Sequence, residues 1–255
     1  MSKGSHAAPG RRPAAGDQRR LAAEVAAATR ILVSEGILDY SGHLSVRVPG
    51  RDAFLIQRGE DSRAELAPDT LLLVDHEGRV IEGDGKPPSE LPIHIEILKA
   101  RPDVQAVLHC HLEVAIAFTM MQGVTLVPMR ARAVRWESGI PTDPDPSHIK
   151  LPEQGRALAK TLGPHNAALM RAHGMVLVAE SAPAVLVDAV HFKENANALL
   201  QVLQAGRTPL PLTAAEMERI NRHEMREFHV GKLWNYYVRK AISAGVVPRE
   251  WDILG

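Results

Sequence analysis

The chain has 255 residues, of which 45% are hydrophobic, and its thirty basic side chains balance thirty acidic ones. This length and composition predict one domain with a full hydrophobic core and exclude a collagen-like, disulfide-rich or disordered chain. Neither the zero net charge nor the distribution of apolar residues indicates a nucleic-acid partner, a membrane surface or a membrane span. The single cysteine, Cys110, cannot form an internal disulfide, which fits a cytoplasmic protein.

Helix and strand patterns alternate in the first half of the chain. Residues 1–20 are small, polar and basic, which indicates a flexible tail ahead of a folded domain that spans 21–255. Apolar side chains recur at a spacing of three and four over 21–35, as in an amphipathic helix. Short apolar or alternating runs then predict four strands, and a helix with proline in its first turn follows them. These five elements are predicted at 44–48, 53–57, 70–74, 79–82 and 89–100.

The second half continues the alternation. A buried strand at 104–108 precedes a helix at 114–121 and a strand near 130–135, and three prolines indicate a loop at 137–147. The remaining elements are a helix near 153–162, strands at 167–170 and 175–179, and two long helices up to the C-terminus. This order predicts a central sheet wrapped by helices. Several connections are too short for crossover helices, so we expect strands of mixed direction.

Two histidines flank Cys110 directly after the strand predicted at 104–108. Side chains alternate between the faces of a strand, so His109 and His111 project together while Cys110 points into the opposite core. Two neutral imidazoles on one face provide half of a zinc-type site. The spacing alone is also compatible with a pair of ordinary surface or hydrogen-bonded histidines.

A third histidine and a glutamate extend this candidate site. His173 lies at the tip of an apolar strand, and Gly174 permits a tight turn that would aim the imidazole inward. Alone it would be read as an ordinary turn histidine, but with the pair it completes a three-histidine site of the kind that leaves an open position for water or substrate. Glu90 follows Ser89 at the start of a predicted helix. This pair indicates a helix cap, and the carboxylate can also serve as a metal ligand or general base.

Several short segments occur in an order that is typical of one known family. They are Gly42-His43-Leu44-Ser45-Val46-Arg47, Ser89-Glu90 with His94, Arg101-Pro102-Asp103-Val104, His109-Cys110-His111 and His173-Gly174. Together they resemble the class II aldolase/adducin superfamily over roughly residues 20–205. The resemblance implies a single-domain, three-layer α/β/α fold of the α/β class, with a central mixed, mainly antiparallel sheet. It also implies a catalytic domain that assembles as a homotetramer with active sites at subunit interfaces.

The resemblance assigns roles to the candidate site. It implies that His109, His111 and His173 hold one divalent metal ion per subunit, and that Glu90 is the catalytic acid or base and can also contact the resting metal. Imidazole ligands suit zinc, manganese, iron and cobalt alike. The metal would stabilise the negative charge that carbon–carbon cleavage leaves beside a carbonyl. Tyr236 and Tyr237 are interpreted as packing residues and also as candidate acids, since the family often takes a tyrosine from near the C-terminus or from an adjacent subunit.

The family's phosphate-binding positions favour a carboxylate in this chain. Phosphosugar aldolases of the family carry a Gly-Asn pair, a Thr-Gly pair and two serines before the glutamate. The corresponding residues here are Gly42-His43, Arg58-Gly59 and Pro88-Ser89. One serine hydroxyl is lost, and a histidine and an arginine have entered. Arg58 can bind a planar carboxylate through two hydrogen bonds, so we expect Gly42, His43, Arg58, Gly59 and Ser89 to bind the substrate.

These features predict a metal-dependent lyase that resembles the decarboxylase branch of the superfamily, which acts on hydroxylated aromatic or heteroaromatic carboxylates. Such an enzyme would work in aromatic compound metabolism on a small-molecule carboxylate, without nucleic-acid or membrane partners. One alternative is an aldolase that cleaves a hydroxy-carbonyl substrate, and a second is a non-heme iron oxygenase of the same fold. A non-catalytic, adducin-like binding module is disfavoured because the chain has all three histidines and Glu90.

Overall fold

One eight-stranded sheet runs through the computed structural model, which describes residues 15–254. Its strands lie in the order β4-β3-β2-β1-β5-β8-β7-β6. All neighbouring strands are antiparallel except β6 and β7, which are parallel, so the predicted mixed and mainly antiparallel sheet is confirmed. The strands are β1 (His43–Arg47), β2 (Ala53–Ile56), β3 (Leu72–Asp75), β4 (Val80–Glu82), β5 (Ala106–Cys110), β6 (Thr142–Asp143), β7 (Ala167–Met170) and β8 (Gly174–Ala179).

Helices cover both faces of this sheet, which gives the predicted three-layer α/β/α fold. They are α1 (Ala15–Ser34), α2 (Leu91–Ala100), α3 (Glu113–Thr119), α4 (Pro152–Leu162), α5 (Ala182–Gln204), α6 (Ala214–Asn221) and α7 (Arg226–Ser243). A large apolar core joins α1, α3, α5 and α7 to one face, and a smaller core joins α2 and α4 to the other. Within residues 15–254, no helix is both long and apolar enough to cross a bilayer.

Alternate side chains of β5 pack into the two cores on opposite faces of the sheet. Leu108 and Cys110 point into the large core, and Val107 points into the smaller one. Because β5 lies between β1 and β8 and runs antiparallel to both, its last residues face the first residues of both neighbours. His43 therefore pairs with His109, and Met175 pairs with Cys110. The end of β5 and the beginnings of β1 and β8 thus lie side by side at one end of these central strands.

The structure corrects several predicted boundaries. Helix α1 begins at Ala15, so residues 15–20 are helical and not part of a tail, and the rest of the predicted tail, residues 1–14, lies outside the described residues. The strand predicted near 130–135 is wrong. A 3-10 helix, Ala131–Trp136, occupies this segment, and the buried Ala133 and Trp136, three residues apart, lie on the same side of it.

Two further predictions change in detail. The loop predicted at 137–147 contains the two-residue strand β6, and the C-terminal region holds the short helix α6 between α5 and α7. The helix predicted to start at Ser89 begins instead at Leu91, with Glu90 at its N-cap position and no side-chain cap. The cap interpretation of Ser89 is therefore wrong, and the Glu90 carboxylate is available for other contacts.

Candidate metal centre

Four side chains converge where the central strand β5 ends. They are Glu90, His109, His111 and His173, and one ligand atom from each lies within 4.8 Å of the others. The Nε2 atoms of His109 and His111 are 3.2 Å apart. The Glu90 carboxylate lies 3.5 Å from Nε2 of His109 through Oε2 and 3.5 Å from Nε2 of His173 through Oε1. The structure thus brings the four predicted ligands together.

The turn between β7 and β8 aims His173 at this cluster. Ala172 supplies the left-handed conformation of the turn, with φ of 51°. The prediction that Gly174 makes the turn possible through its own backbone freedom is therefore wrong. Gly174 is needed for a different reason, since a Cβ atom there would lie 2.7 Å from the Cys110 carbonyl oxygen and 3.1 Å from Cε1 of His109. The missing side chain lets β8 approach the end of β5.

Hydrogen bonds on the outer nitrogens orient two of the imidazoles. Nδ1 of His109 lies 3.1 Å from the carbonyl oxygen of Met175, so it must donate its hydrogen there. Nδ1 of His111 lies 2.9 Å from Oδ2 of Asp39, which likewise accepts a hydrogen. These partners assign the proton of each neutral ring to Nδ1 and leave a lone pair on Nε2. Both lone pairs then face into the cluster.

The cluster fits a bound cation. Two neutral Nε2 lone pairs cannot hydrogen-bond to each other at 3.2 Å, whereas ligands that share a tetrahedral ion at about 2.0–2.1 Å would be roughly 3.3 Å apart. Both ring nitrogens of His173 are buried, and neither has a hydrogen-bond partner among residues 15–254. Buried polar nitrogens without a partner are costly, and a metal ion would satisfy one of them. The donor set is therefore a possible metal-binding site.

Glu90 is held as an anion beside these histidines. Burial favours the neutral acid, but the adjacent imidazoles of His109 and His173 and the hydrogen bond from the backbone N–H of Ile149 outweigh it and hold the pKa of Glu90 well below its usual range. The N–H of Ile149 donates to Oε1 at 2.9 Å. At rest this side chain is therefore a carboxylate that can bind a cation.

Two residues that sequence reasoning missed complete the surroundings of the cluster. Asp39 orients His111 and also accepts hydrogen bonds from the backbone N–H groups of Ser41 and Gly42. His148 places Nδ1 3.6 Å from Oε1 of Glu90, and its side chain is 69% exposed. No pattern marks either residue, because both lie outside regular elements and reach the site through turns.

Four of the five predicted substrate-binding residues, Gly42, His43, Gly59 and Ser89, belong to segments that lie close together near the metal-binding cluster. Arg63, which the sequence did not indicate, donates from Nε to the carbonyl of Gly42 and from Nη1 to the carbonyl of Gly59, each at 3.0 Å. Gly59 packs closely against Pro87 and Pro88, which directly precede Ser89. The buried Arg63 thus holds the Gly42-His43 segment next to the Arg58-Gly59 segment.

Arg58 is arranged differently from the prediction. Its Nε donates to Oδ1 of Asp61 at 2.8 Å, and a second guanidinium nitrogen lies 2.6 Å from the same oxygen. These contacts hold two of the donors that a planar carboxylate would need. A substrate carboxylate would have to displace Asp61 to reach these two nitrogens, so carboxylate binding by Arg58 remains a proposal. The guanidinium that contacts the backbone next to His43 is that of Arg63.

His43 belongs to a buried chain of three polar side chains. Its Nδ1 lies 2.6 Å from Nε2 of His94, and Nδ1 of His94 lies 2.6 Å from Oγ of Ser45. All three residues are at most 1% exposed. Burial lowers the pKa of His94 to about 3, so this imidazole is neutral. The ring of His43 lies 5.0 Å from the ring of His109, directly beside the cluster.

The two candidate tyrosines lie on α7, which packs against α5 and α1. Their rings are 5.1 Å apart, and the Tyr236 side chain is 59% exposed. Burial, with the nearby carboxylates of Glu35 and Glu194, raises the pKa of Tyr237 to about 12. Neither tyrosine is among the four clustered residues. Their role as catalytic acids therefore stays a prediction, in which a tyrosine of one subunit would serve the site of a neighbouring subunit.

Replacing Asp39 by asparagine should weaken metal binding by about 10- to 100-fold. An asparagine that turns its amide toward Nδ1 of His111 would favour the opposite tautomer, with the proton on Nε2 where the metal must bind. We expect zinc affinity, measured by competition with a chelating dye, to fall while the protein remains folded. Asp52→Asn provides a control, because Asp52 also pairs with a histidine, His76, but away from the cluster. Unchanged zinc affinity in Asp39→Asn would contradict the orienting role.

Comparison with known proteins finds a matching family model, similar sequences and a similar fold. A family model described as Class II Aldolase and Adducin N-terminal domain matches residues 23–200. A 3,4-dihydroxyphthalate decarboxylase from Rhodococcus jostii is 28% identical over 233 residues, which cover 86% of this chain and 95% of that protein. A 5-methylthioribulose-1-phosphate/5-deoxyribulose-1-phosphate aldolase from Rhodospirillum rubrum is 31% identical over 71% of this chain and 79% of its own. An aldolase II superfamily protein from Pseudomonas syringae superposes with a TM-score of 0.78 at 21% identity, covering 92% of this chain and 96% of that one.

Proposed function

The chain belongs to the class II aldolase and adducin family, and we propose that within this family it is a decarboxylase of a hydroxylated aromatic or heteroaromatic carboxylate. The coarser assignment, a metal-dependent lyase, follows from the family and from the three-histidine, one-glutamate cluster. The observation that carries the finer proposal is the similarity to 3,4-dihydroxyphthalate decarboxylase, which extends over 95% of that protein's length.

The cluster has the donors that this chemistry requires. His109, His111, His173 and Glu90 would hold one divalent ion per subunit, and zinc, manganese, iron and cobalt all accept such ligands. When bound, the ion would act as a Lewis acid that stabilises the electron pair left behind as carbon dioxide departs. The hydrogen bonds from His109 to Met175 and from His111 to Asp39 keep both imidazoles in the tautomer that such binding needs.

The surrounding residues would bind the substrate and move its proton. His43, whose ring lies 5.0 Å from that of His109, would donate a hydrogen bond to a carboxylate oxygen of the substrate. The Glu90 carboxylate lies 3.5 Å from Nε2 of His109 and of His173, where it can accept the proton of a substrate hydroxyl. Glu90 then returns this proton to the ring carbon that carries the carboxylate. As the bond between the ring and the carboxylate breaks and carbon dioxide leaves, its electron pair restores the aromatic ring and the negative charge on the former hydroxyl oxygen. Atoms and charge then balance without an external oxidant.

A homotetramer with active sites at subunit interfaces is part of the proposal. Large apolar side chains are exposed around the start of α7, including Met225 at 67% and Phe228 at 65%. Exposed apolar side chains of this size are typical of protein contact surfaces. Tyr236, on the same helix, would then be available as an acid for the site of a neighbouring copy.

An aldolase is the second candidate. The similarity to the Rhodospirillum rubrum aldolase, at 31% identity over 71% of this chain, favours it. Decarboxylation and aldol cleavage both leave an electron pair beside an oxygen, so the same cluster suits either reaction. His43, at the position where the phosphosugar aldolases carry asparagine, and Pro88, at the position of one of their serines, favour the decarboxylase.

The test is an assay of the metal-reconstituted protein on ortho-hydroxy aromatic acids and on short hydroxy-carbonyl compounds. Carbon dioxide release, aldehyde formation and oxygen uptake are followed in parallel, with chelator-treated protein as the blank. We expect carbon dioxide without oxygen uptake. Aldehyde without carbon dioxide would reject the decarboxylase in favour of the aldolase, and oxygen uptake with ferrous iron would identify an oxygenase.

A further inference from the structure

The chain of Ser45, His94 and His43 determines what His43 can offer to a ligand. His43 and Ser45 are alternate residues of β1 and therefore project from the same face, toward α2, which carries His94. Both ring nitrogens of His94 are engaged, one by each neighbour, at 2.6 Å. A neutral imidazole has one N–H, so His94 donates to one of these neighbours and accepts from the other.

Two hydrogen-bond patterns satisfy His94. In the first, the Ser45 hydroxyl donates to Nδ1 of His94, and Nε2–H of His94 donates to Nδ1 of His43, which leaves the His43 hydrogen on Nε2. In the second, all directions reverse, and His43 carries its hydrogen on Nδ1 and a lone pair on Nε2. The two patterns make His43 a donor or an acceptor toward the site, respectively.

The surroundings of Ser45 select the first pattern. Among residues 15–254, His94 is the one hydrogen-bond partner of the Ser45 hydroxyl, and Ser45 is fully buried. If Ser45 accepted from His94, its own O–H would have no acceptor in a place that water does not reach. A buried donor without an acceptor is disfavoured, so the hydroxyl donates its hydrogen to His94.

We propose that Ser45 and His94 are positioning residues that fix His43 with its hydrogen on Nε2, and that His43 thereby donates a hydrogen bond to a carboxylate of the ligand. The same tautomer keeps His43 from binding the metal, although it is paired in register with His109 on the neighbouring strand. The carboxylate part of the inference rests on the proposed function, whereas the tautomer of His43 does not.

The first experiment reads the tautomer directly. Ring-labelled ¹⁵N-histidine is incorporated into the full-length, zinc-loaded protein, and long-range ¹H–¹⁵N spectra distinguish protonated from unprotonated ring nitrogens. The His43 signals are assigned by their loss in His43→Gln. We expect a protonated Nε2 and an unprotonated Nδ1 for His43. The reverse pattern in the unmodified protein would overturn the proposal without any variant having to fold.

The variants test whether Ser45 imposes this state. Ser45→Ala removes the hydroxyl hydrogen, so His43 should become a mixture of tautomers, whereas Ser45→Thr keeps a hydroxyl and should keep the Nε2–H form. Thr29→Val is the matched control, because Thr29 is also a fully buried hydroxyl but bonds only to the Val25 carbonyl inside α1. A His43 spectrum that is the same in Ser45→Ala as in the unmodified protein would overturn the role of Ser45.

The second experiment separates the two parts of the inference. Binding of 2,3-dihydroxybenzoate and of catechol, which lacks the carboxylate, is measured by calorimetry on the zinc-loaded protein. Loss of a hydrogen bond to a charged group should weaken dihydroxybenzoate binding to Ser45→Ala by about 10- to 100-fold and leave catechol binding unchanged. In the His43→Gln background, the glutamine amide donates without help from His94, so Ser45→Ala should then have little effect. If the tautomer changes as expected but the two ligands respond alike, the carboxylate assignment is rejected and the positioning role stands.

Discussion

Replacement of His109 by alanine is expected to abolish both stoichiometric metal binding and turnover. His109 is fully buried and lies within reach of the other three ligand residues, with Nε2 at 3.2 Å from His111 and 3.5 Å from Glu90. Loss of a residue that only orients a ligand lowers metal affinity by roughly 10- to 100-fold. Loss of the His109 imidazole itself should lower metal affinity by more than this. Metal content after exhaustive dialysis against buffer, measured by elemental analysis, provides the readout.

A matched variant separates this effect from a general loss of stability. His223 is exposed between α6 and α7, so His223→Ala should retain metal and activity. The helix content of His109→Ala, followed by circular dichroism, should show that the protein still folds, since the imidazole takes part in neither apolar core. A folded His109→Ala protein that still holds one metal ion per chain would refute the assignment of His109 as a ligand.

Replacement of Glu90 by glutamine should preserve the fold and most of the bound metal but reduce kcat by about 100- to 10,000-fold. Glutamine can still accept the hydrogen bond from the N–H of Ile149, so the start of α2 keeps its contact with the loop that carries His148. The three histidines of the cluster remain available to a metal ion. The neutral amide cannot accept and return a proton, and this difference should appear in kcat measured at saturating metal and substrate.

The control for Glu90 is a second carboxylate near the site. Glu113 is exposed at the first position of α3, two residues after His111, and Glu113→Gln should leave kcat nearly unchanged. Full turnover by Glu90→Gln would exclude its proton-transfer role. A parallel loss of metal and activity would instead show that Glu90 acts mainly as a ligand.

The strand period explains how far the sequence could predict the site. Alternation on β5 correctly placed His109 on one face and Cys110 in the opposite core, because a strand with two packed faces tolerates no shift in register. The order of apolar runs likewise predicted every strand of the sheet except β6, which has only two residues. The strand predicted near 130–135 failed because arginines interleaved with apolar residues also suit a 3-10 helix, in which Ala133 and Trp136 lie on one side.

Contacts through turns and backbone groups could not be predicted in this way. Arg63 holds two glycine carbonyls together, and a buried arginine that bonds to backbone atoms leaves no pattern in the sequence. Arg58 was the more conspicuous residue by its position next to Gly59, yet Asp61, three residues further on, engages its guanidinium. Asp39 reaches His111 from a segment that is distant in the chain and carries no periodic signal.

The left-handed backbone of Ala172 shows what this protein gives up in stability to place a histidine. An L-residue with a side chain loses roughly 1–2 kcal/mol in this conformation, which glycine would adopt without that loss. The turn joins two antiparallel strands whose pairing holds it in place. Selection for greater stability alone would favour glycine at position 172. The pairing of β7 with β8, and not an intrinsic preference of Ala172, therefore fixes the turn and with it the direction of the imidazole that follows.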